Sequence, residues 1–342
     1  MYTKDLLIEL SNINGISGRE TDVQKSILKH TDRKTTVDAM GNVFIGNRKS
    51  QKTKVALWAH MDEVGFYVRR ITDDGFILFE QLGNWWGHAV LGQQMQLTIR
   101  KTGQVIQGVV GTLPAKAHPL QKVVPIEEMY LDVGAITGEE LIQLGVQPGD
   151  MLTPATSANL TFNEKNLIGK ALDNRVACTV ILQTLKRFSE EKIDLIGVAT
   201  VQEEVGTRGS QVAAKTIDAD YNFVIDVANG KDTPKAAEYP FRILGNGPGL
   251  VLSDKTALAT IELLDFVQET AERNKINYQY DSFSGGGTDA GSVLLSNGKP
   301  TMVISVPVRY CHSWNSMVAL SDIEATIELL CAVVERIEAG EL

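Results

Sequence analysis

Apolar segments that alternate with helical ones constrain the fold of this 342-residue chain most strongly. After residue 163, the near-continuous apolar runs IDLIGVATV, YNFVIDV and TMVISVPV are separated by segments with helical periodicity, such as NRVACTVILQTLKRF and TALATIELLDFVQETAERN. Strands that are apolar on both faces belong to mostly parallel sheets with helices on both sides. The sequence therefore predicts an α/β fold in three layers, with a mostly parallel sheet in the middle.

The pattern of secondary structure changes between about residues 68 and 162. Short β-like runs such as GFILFEQLG, QMQLTIRKTG and QVIQGVVGTL alternate there with glycines, and helical periodicity nearly vanishes. The segments before residue 68, among them DLLIELSNI and KVALWAH, again read as helices and strands. We predict one α/β domain built from residues 1–67 and 163–342, with a small β-rich domain of residues 68–162 inserted as a separate unit outside the site described next.

Net charge, hydropathy and cysteine content limit the partners and the location that we expect for this protein. The net charge of -9 and the pI near 5.2 disfavour binding to nucleic acid or to an anionic membrane surface. No apolar run approaches the length that spans a bilayer, and the N-terminus reads as an amphipathic helix and not as a signal peptide. The three cysteines are widely spaced, which fits a reducing compartment, so we expect a cytoplasmic protein.

Polar side chains with metal-binding chemistry follow the predicted strands or open the next helix. In a parallel sheet such positions converge on one crevice at the carboxyl ends of the strands. Histidine and carboxylate ligands together suit divalent zinc, cobalt or manganese, and no cysteine joins them. The converging residues are His60, Asp62, Asp173, Glu203, Glu204, Asp226 and His312.

The number of these groups predicts two metal ions with a base beside them. One metal needs about three protein ligands, and five ligands suffice for two if a carboxylate bridges them: His60, Asp173, Glu204, Asp226 and His312. Asp173, held stiffly at a helix start, is the natural bridge. Asp62 is placed to accept the second N–H of His60. Glu203 is left without a metal role, as a general base beside a metal-bound water requires.

Each residue also has a purely structural interpretation. Asp173 is a typical helix N-cap, and Asp226 a typical turn residue. A single His-x-Asp pair is more often an ordinary hydrogen-bonded pair than a metal site. The co-occurrence of all these groups at strand ends favours the functional interpretation.

The motifs AHMDEVGF, GKALDNR, QEEVGTRG, VIDV, SGGGTDAG and RYCHS resemble, in this order, the di-zinc aminopeptidase family of the tetrahedral and glutamyl aminopeptidases. Some members of that family are named cellulase M or deblocking aminopeptidase. The resemblance implies a zinc-exopeptidase-like domain with an inserted PDZ-like or β-barrel domain that serves oligomerisation and substrate access. It also implies a homo-oligomer, a hollow tetrahedral dodecamer, that acts on peptides.

The resemblance further implies a role for each site residue. His60 and Asp226 are expected to bind one metal, Glu204 and His312 the other, with Asp173 between them and Glu203 as the base. The SGGGTDAG loop borders the family's active site, as a turn or as a substrate contact.

The expected activity is metal-dependent removal of the N-terminal residue from peptides. The alternatives are a glycoside hydrolase that uses Glu203 in a carboxylate pair and a non-catalytic scaffold that keeps a structural metal. Side-chain specificity stays open, because Arg242 or Arg309 could either select acidic residues or serve only the structure.

Overall fold

The computed structural model describes residues 1–47, 52–113, 123–188, 192–236, 241–283 and 285–342. The helices are α1 (Thr3–Asn12), α2 (Thr21–Lys29), α3 (Gly138–Leu144), α4 (Leu172–Leu185), α5 (Arg208–Ala213), α6 (Ile261–Arg273), α7 (Ala290–Asn297) and α8 (Leu320–Glu338). The strands are β1 (Thr35–Val37), β2 (Val43–Ile45), β3 (Lys54–His60), β4 (Gly65–Ile71), β5 (Ile77–Leu82), β6 (Gln94–Thr98), β7 (Val105–Gly111), β8 (Tyr130–Asp132), β9 (Met151–Pro154), β10 (Asn159–Leu160), β11 (Asn166–Gly169), β12 (Asp194–Thr200), β13 (Tyr221–Asn229), β14 (Gly249–Val251), β15 (Gln279–Asp281), β16 (Thr301–Arg309) and β17 (Ser316–Ala319).

Within the described residues, eleven strands form one large sheet whose main path is β1-β2-β12-β3-β13-β16-β17-β11-β10. The four central strands, β12, β3, β13 and β16, run parallel to one another. On the main path the outer strand pairs are antiparallel, among them β1 with β2, β2 with β12, and β16 with β17. The predicted α/β class is confirmed, with the parallel strands at the centre of the sheet.

Side chains of the central strands alternate between two cores, one on each face of the sheet. On β3, Val55, Leu57 and Ala59 join the core formed with α1, α4, α6 and α8. Ala56 and Trp58 point to the opposite core, which α5 and α7 cover. Helices thus cover both faces, and the predicted three-layer arrangement is confirmed. The carboxyl ends of the parallel strands are brought to one edge, where His60 pairs in register with Thr200.

A closed barrel of six strands, in the order β4-β5-β8-β7-β6-β9, forms the β-rich part of the chain. Its interior is filled by buried apolar side chains that include Phe66, Phe79, Leu97 and Leu152. The predicted inserted β-rich fold is therefore confirmed. The barrel strands run from residue 65 to residue 154. The predicted limit at residue 68 falls inside β4, and β10, near the predicted limit at 162, pairs with β11 of the large sheet.

None of the helices that the structure describes combines the length and the apolar character that a bilayer crossing requires.

Candidate metal centre

All seven predicted site residues lie close together at the carboxyl edge of the parallel strands. His60 is the last residue of β3, and Asp226 lies within β13. Asp173 lies in the first turn of α4. The adjacent residues Glu203 and Glu204 follow β12, and His312 follows β16. The rule that the carboxyl ends of parallel strands converge accounts for the grouping of these side chains.

The two carboxylate oxygens of Asp173 face two different imidazoles. Asp173 Oδ1 lies 3.1 Å from His60 Nε2, and Asp173 Oδ2 lies 3.2 Å from His312 Nε2. Each imidazole has a second carboxylate nearby: Asp226 Oδ1 is 3.8 Å from His60 Nε2, and Glu204 Oε2 is 3.4 Å from His312 Nε2. The cluster is thus arranged as two halves that share Asp173.

Among the residues that the structure describes, three sets have ligand atoms within 4.8 Å of one another. The first contains His60, Asp173 and Asp226, and the second contains Asp173, Glu204 and His312. These two sets use all five predicted ligands and have Asp173 in common. A third set joins His60 to Glu203 and Glu204. It would make Glu203 a ligand, and it leaves out Asp173.

A turn lets two adjacent glutamates face the same site. β12 ends at Thr200, and Gln202 then adopts a left-handed backbone conformation with φ of 55°. The carbonyl of Glu203 accepts hydrogen bonds from the backbone N–H groups of Gly206 and Thr207. Because the chain is no longer extended here, Glu203 and Glu204 do not alternate between faces as they would on a strand. Glu203 Oε2 lies 3.9 Å from His60 Nε2.

Asp62 is fully buried behind His60 and serves more contacts than the sequence predicted. Its Oδ1 lies 3.4 Å from His60 Nδ1, which is also 3.2 Å from the Asp62 carbonyl oxygen. The same carboxylate accepts the backbone N–H of Glu203 at 3.0 Å and that of Glu204 at 3.2 Å. Ser17 Oγ donates to it at 2.6 Å. Asp62 therefore links the histidine to the turn that carries both glutamates.

The electrostatics of the cluster fit divalent cations. Burial, followed by the charges of neighbouring carboxylates, raises the pKa of Glu203 and that of Asp226 well above their ordinary values. Burial also raises the pKa of Glu204, whose Oε1 is buried without a hydrogen-bond partner among the described residues. Crowded carboxylates resist ionisation unless positive charge is brought to them. With two imidazoles among the donors, the chemistry of the set suits zinc, cobalt or manganese.

The carboxylates of the cluster also raise the pKa of both histidines. Burial opposes protonation of His312, but the charge of Glu204 and the hydrogen bond to Asp173 raise its pKa to about 11. Burial likewise opposes protonation of His60, yet its contacts with Asp173 and Asp62 raise its pKa well above 6.5. Conversely, although burial acts against it, contacts with the two histidines lower the pKa of Asp173.

Sequence reasoning missed a buried charged cluster behind the site. Lys170 Nζ donates to both oxygens of Glu63, at 2.7 and 2.9 Å, and both side chains are buried. Arg175 is fully buried and donates to the backbone carbonyls of Met61 and Leu10. Glu63 directly follows Asp62, and Lys170 and Arg175 flank Asp173. In the motif GKALDNR, only Asp173 is a predicted site residue. Lys170 and Arg175, three and two positions from it, are the charged residues that could have indicated the buried cluster.

The SGGGTDAG loop also contributes a buried carboxylate. Asp289 is 1% exposed, and Thr200 Oγ1 donates to its Oδ2. Burial raises the pKa of Asp289, and Asp62 adds to that effect. This loop thus packs against the end of β12, just before the turn of the two glutamates.

Both arginines considered for substrate selection are ion-paired. Arg309 donates from Nε and Nη2 to the two oxygens of Asp232, at 2.8 and 2.6 Å. Arg242 Nε donates to Asp281, which is buried. Neither guanidinium is a free cation, so these two residues give no sign of a preference for acidic substrates.

One cavity borders the cluster at His312, and a second lies nearby. A cavity of about 540 Å³ is lined on the barrel side by Trp86 and on the opposite side by the loop that carries His312. A second cavity, of about 350 Å³, borders β13 just beyond Asp226. Asn229 and Lys231 border both cavities. These volumes are typical of sites for small ligands.

The fold and the cluster together define the class: an α/β metallopeptidase, with its candidate metal ligands at the carboxyl edge of the four parallel central strands. The chain belongs to the family described as M42 glutamyl aminopeptidase, which matches residues 41–329.

Relatives and solved structures agree with this assignment over nearly the whole chain. The glutamyl aminopeptidase of Lactococcus lactis subsp. cremoris is 32% identical, across 98% of this chain and 96% of its own length. A TET aminopeptidase from a marine-sediment Thaumarchaeota archaeon superposes with a TM-score of 0.92 at 31% identity, covering 99% of each chain. The TET1 peptidase of Pyrococcus horikoshii, which can assemble into a tetrahedron or a large octahedral shell, gives a TM-score of 0.86 at 28% identity, covering 97% of this chain and 99% of its own. The predicted family is confirmed, and the chain is a peptide hydrolase of the aminopeptidase type.

Proposed function

We propose that this protein is a di-metal aminopeptidase that removes the N-terminal residue from peptides. In this proposal His60 and Asp226 bind one divalent ion, Glu204 and His312 bind the other, and Asp173 bridges the two. The single observation that carries the proposal is the placement of the two Asp173 oxygens, each within 3.2 Å of a different imidazole. A carboxylate that binds only one ion, or only caps a helix, does not need an imidazole beside each of its two oxygens.

Glu203 is proposed as the general base. Zinc, cobalt or manganese ions bound by the five ligands would polarise the scissile carbonyl and lower the pKa of the attacking water. Glu203 would accept the proton of that water and pass it to the leaving amine. Neither of the two ligand sets that share Asp173 includes Glu203, so its carboxylate stays available to act as a base. Asp62 would fix the orientation of His60 and of the turn before Glu203.

Peptide substrates fit the surroundings of the cluster. The free α-amine of a peptide is a cation, and the buried carboxylates of the site would hold it beside the scissile bond, which limits cleavage to the first residue. The larger cavity reaches His312 and the smaller one borders β13 just beyond Asp226, so that one would receive the first side chain and the other the departing peptide. Trp86, 66% exposed, offers an aromatic surface to a peptide in the larger cavity.

The relatives bear on the assembly of the chain, and its cysteines bear on its location. We propose a homo-oligomer, a tetrahedral dodecamer, because the similar peptidase of Pyrococcus horikoshii can assemble into a tetrahedron. All three cysteines are free thiols, two of them buried, which supports a reducing compartment such as the cytoplasm.

Removal of metal is the experiment that tests the proposed activity. After treatment with a chelator, hydrolysis of a panel of aminoacyl-anilides should be lost, and added zinc, cobalt or manganese should restore it. The physical reason is that Glu203 alone does not polarise the carbonyl group of the substrate. Cellodextrin hydrolysis, measured in parallel, addresses the glycoside hydrolase alternative, whose carboxylate pair should survive chelation. Anilide turnover that is unchanged by chelation would contradict the proposal.

A further inference from the structure

The two halves of the cluster are held by different parts of the fold. His60 and Asp226 lie on β3 and β13, and each of these strands is hydrogen bonded to a neighbour on both sides. Glu204 and His312 lie beyond strand ends, on a turn and on a loop. His312 moreover adopts a left-handed backbone conformation with φ of 55°, which is costly for a residue other than glycine. Contacts outside the sheet must therefore hold His312 in place.

Trp314, two residues beyond His312, supplies such a contact. Its side chain is 4% exposed and belongs to the apolar core of the barrel, not to either core of the large sheet. Its ring centroid lies 5.3 Å from that of Trp85 and 6.3 Å from that of Phe66. Its Nε1–H donates to the backbone carbonyl of Gln94, at the start of β6, at 2.9 Å. The loop that carries His312 is thus anchored inside the barrel.

A second contact brings the barrel to Glu204. Gly83, directly after β5, has φ of 74°, and a methyl group at this position would lie 3.4 Å from Glu204 Oε2. The backbone of the barrel therefore covers this carboxylate closely. Glu204 itself and Trp314, two residues beyond His312, thus lie against the barrel, although the sequence predicted an insertion outside the site.

We propose that Trp314 is a positioning residue through which the inserted barrel sets the affinity of one metal position, the one assigned to Glu204 and His312. This inference rests on the proposed di-metal function. Loss of the anchor would free His312 to leave its strained conformation, and the position would bind metal less tightly. The position assigned to His60 and Asp226 would keep its affinity, because the strands of the sheet hold its residues.

The test is a metal titration of the full-length chain after chelator treatment, with cobalt(II) followed by its absorption spectrum and zinc(II) by elemental analysis. Wild type should bind two ions. Trp314→Phe, which keeps an aromatic ring but removes the hydrogen bond to Gln94, and Trp314→Leu should keep one ion at wild-type affinity. The dissociation constant of the other ion should rise by about 10- to 100-fold, the usual effect of losing a residue that supports a metal ligand. Excess metal should restore both the second ion and turnover.

Trp58→Phe is the matched control. Trp58 is also buried, also donates one indole N–H bond, to Asn222, and also lies two residues from a metal-site histidine. Because it lies within β3, this substitution should leave both dissociation constants within about twofold. If Trp314→Leu does not fold, Trp314→Phe decides the question.

The outcomes separate this inference from the proposed function. Two ions bound with wild-type affinity in the Trp314 variants would overturn the inference alone. A single ion in wild type would overturn the di-metal proposal and this inference together.

Discussion

Glu203→Gln is expected to lower turnover by about two to four orders of magnitude, the usual contribution of a general base. The substitution keeps the size and the hydrogen bonding of the side chain and removes only its ability to accept a proton. The backbone N–H of residue 203 would still bond to Asp62, so the turn should keep its shape. Metal content should therefore stay at the wild-type level, and steady-state turnover together with elemental analysis of the same sample measures both quantities.

The neighbouring residue provides the control for this assignment. Glu204→Gln should weaken one metal position, because Glu204 Oε2 lies 3.4 Å from His312 Nε2 within the half assigned to the second ion. Excess metal should then restore part of the activity of Glu204→Gln but none of that lost in Glu203→Gln. The third set of ligand atoms, from His60, Glu203 and Glu204, would instead make Glu203 a metal ligand. If Glu203→Gln loses metal and Glu204→Gln retains it, the two roles are exchanged.

Lys170→Met is expected to destabilise the fold by about 3 kcal/mol, at the lower end of the cost of breaking a buried ion pair. The substitution leaves the carboxylate of Glu63 buried without its main partner. The cost stays at the lower end because Arg175 Nη2 is 3.6 Å from Glu63 Oε1 and partly replaces the lysine. Equilibrium unfolding in urea measures the change in the free energy of unfolding.

Two further variants isolate the effect of burial. The double variant Glu63→Gln with Lys170→Met should be more stable than Lys170→Met alone, because it leaves no buried carboxylate unpaired. Lys25→Met breaks the surface pair with Asp22, whose 2.8 Å separation is close to that of the buried pair. Since both partners are mostly exposed, the free energy of unfolding should change by less than about 1 kcal/mol. Equal losses in Lys170→Met and Lys25→Met would show that the buried cluster has no special role.

The cluster could be anticipated from the sequence because its residues lie in or directly after apolar strands or open a helix. His60 and Asp226 lie on strands whose apolar runs were unmistakable, and the parallel order of those strands brings their carboxyl ends together. Glu203 and Glu204 were harder to assign, because only the turn at Gln202 lets both face the site.

Contacts between distant parts of the chain could not be predicted from the ends of apolar strands in this way. Ser17 reaches Asp62 across 45 positions of sequence, and Trp314 reaches Gln94 across 220. A serine in an N-terminal loop and a tryptophan in a loop carry no periodic pattern that predicts such partners. The boundary of the barrel could not be placed exactly from the sequence. Only four residues separate β3 from β4, too few to show a change of composition between the two domains.

The metal content of wild type and of Asp173→Ala tests the di-metal proposal. We expect two divalent ions per wild-type chain by elemental analysis, since five ligands form two sets that share Asp173. Asp173→Ala should reduce the occupancy of both ions together, because the lost carboxylate faces both imidazoles. A wild-type chain with a single ion, or an Asp173→Ala variant that keeps both ions, would contradict the di-metal proposal.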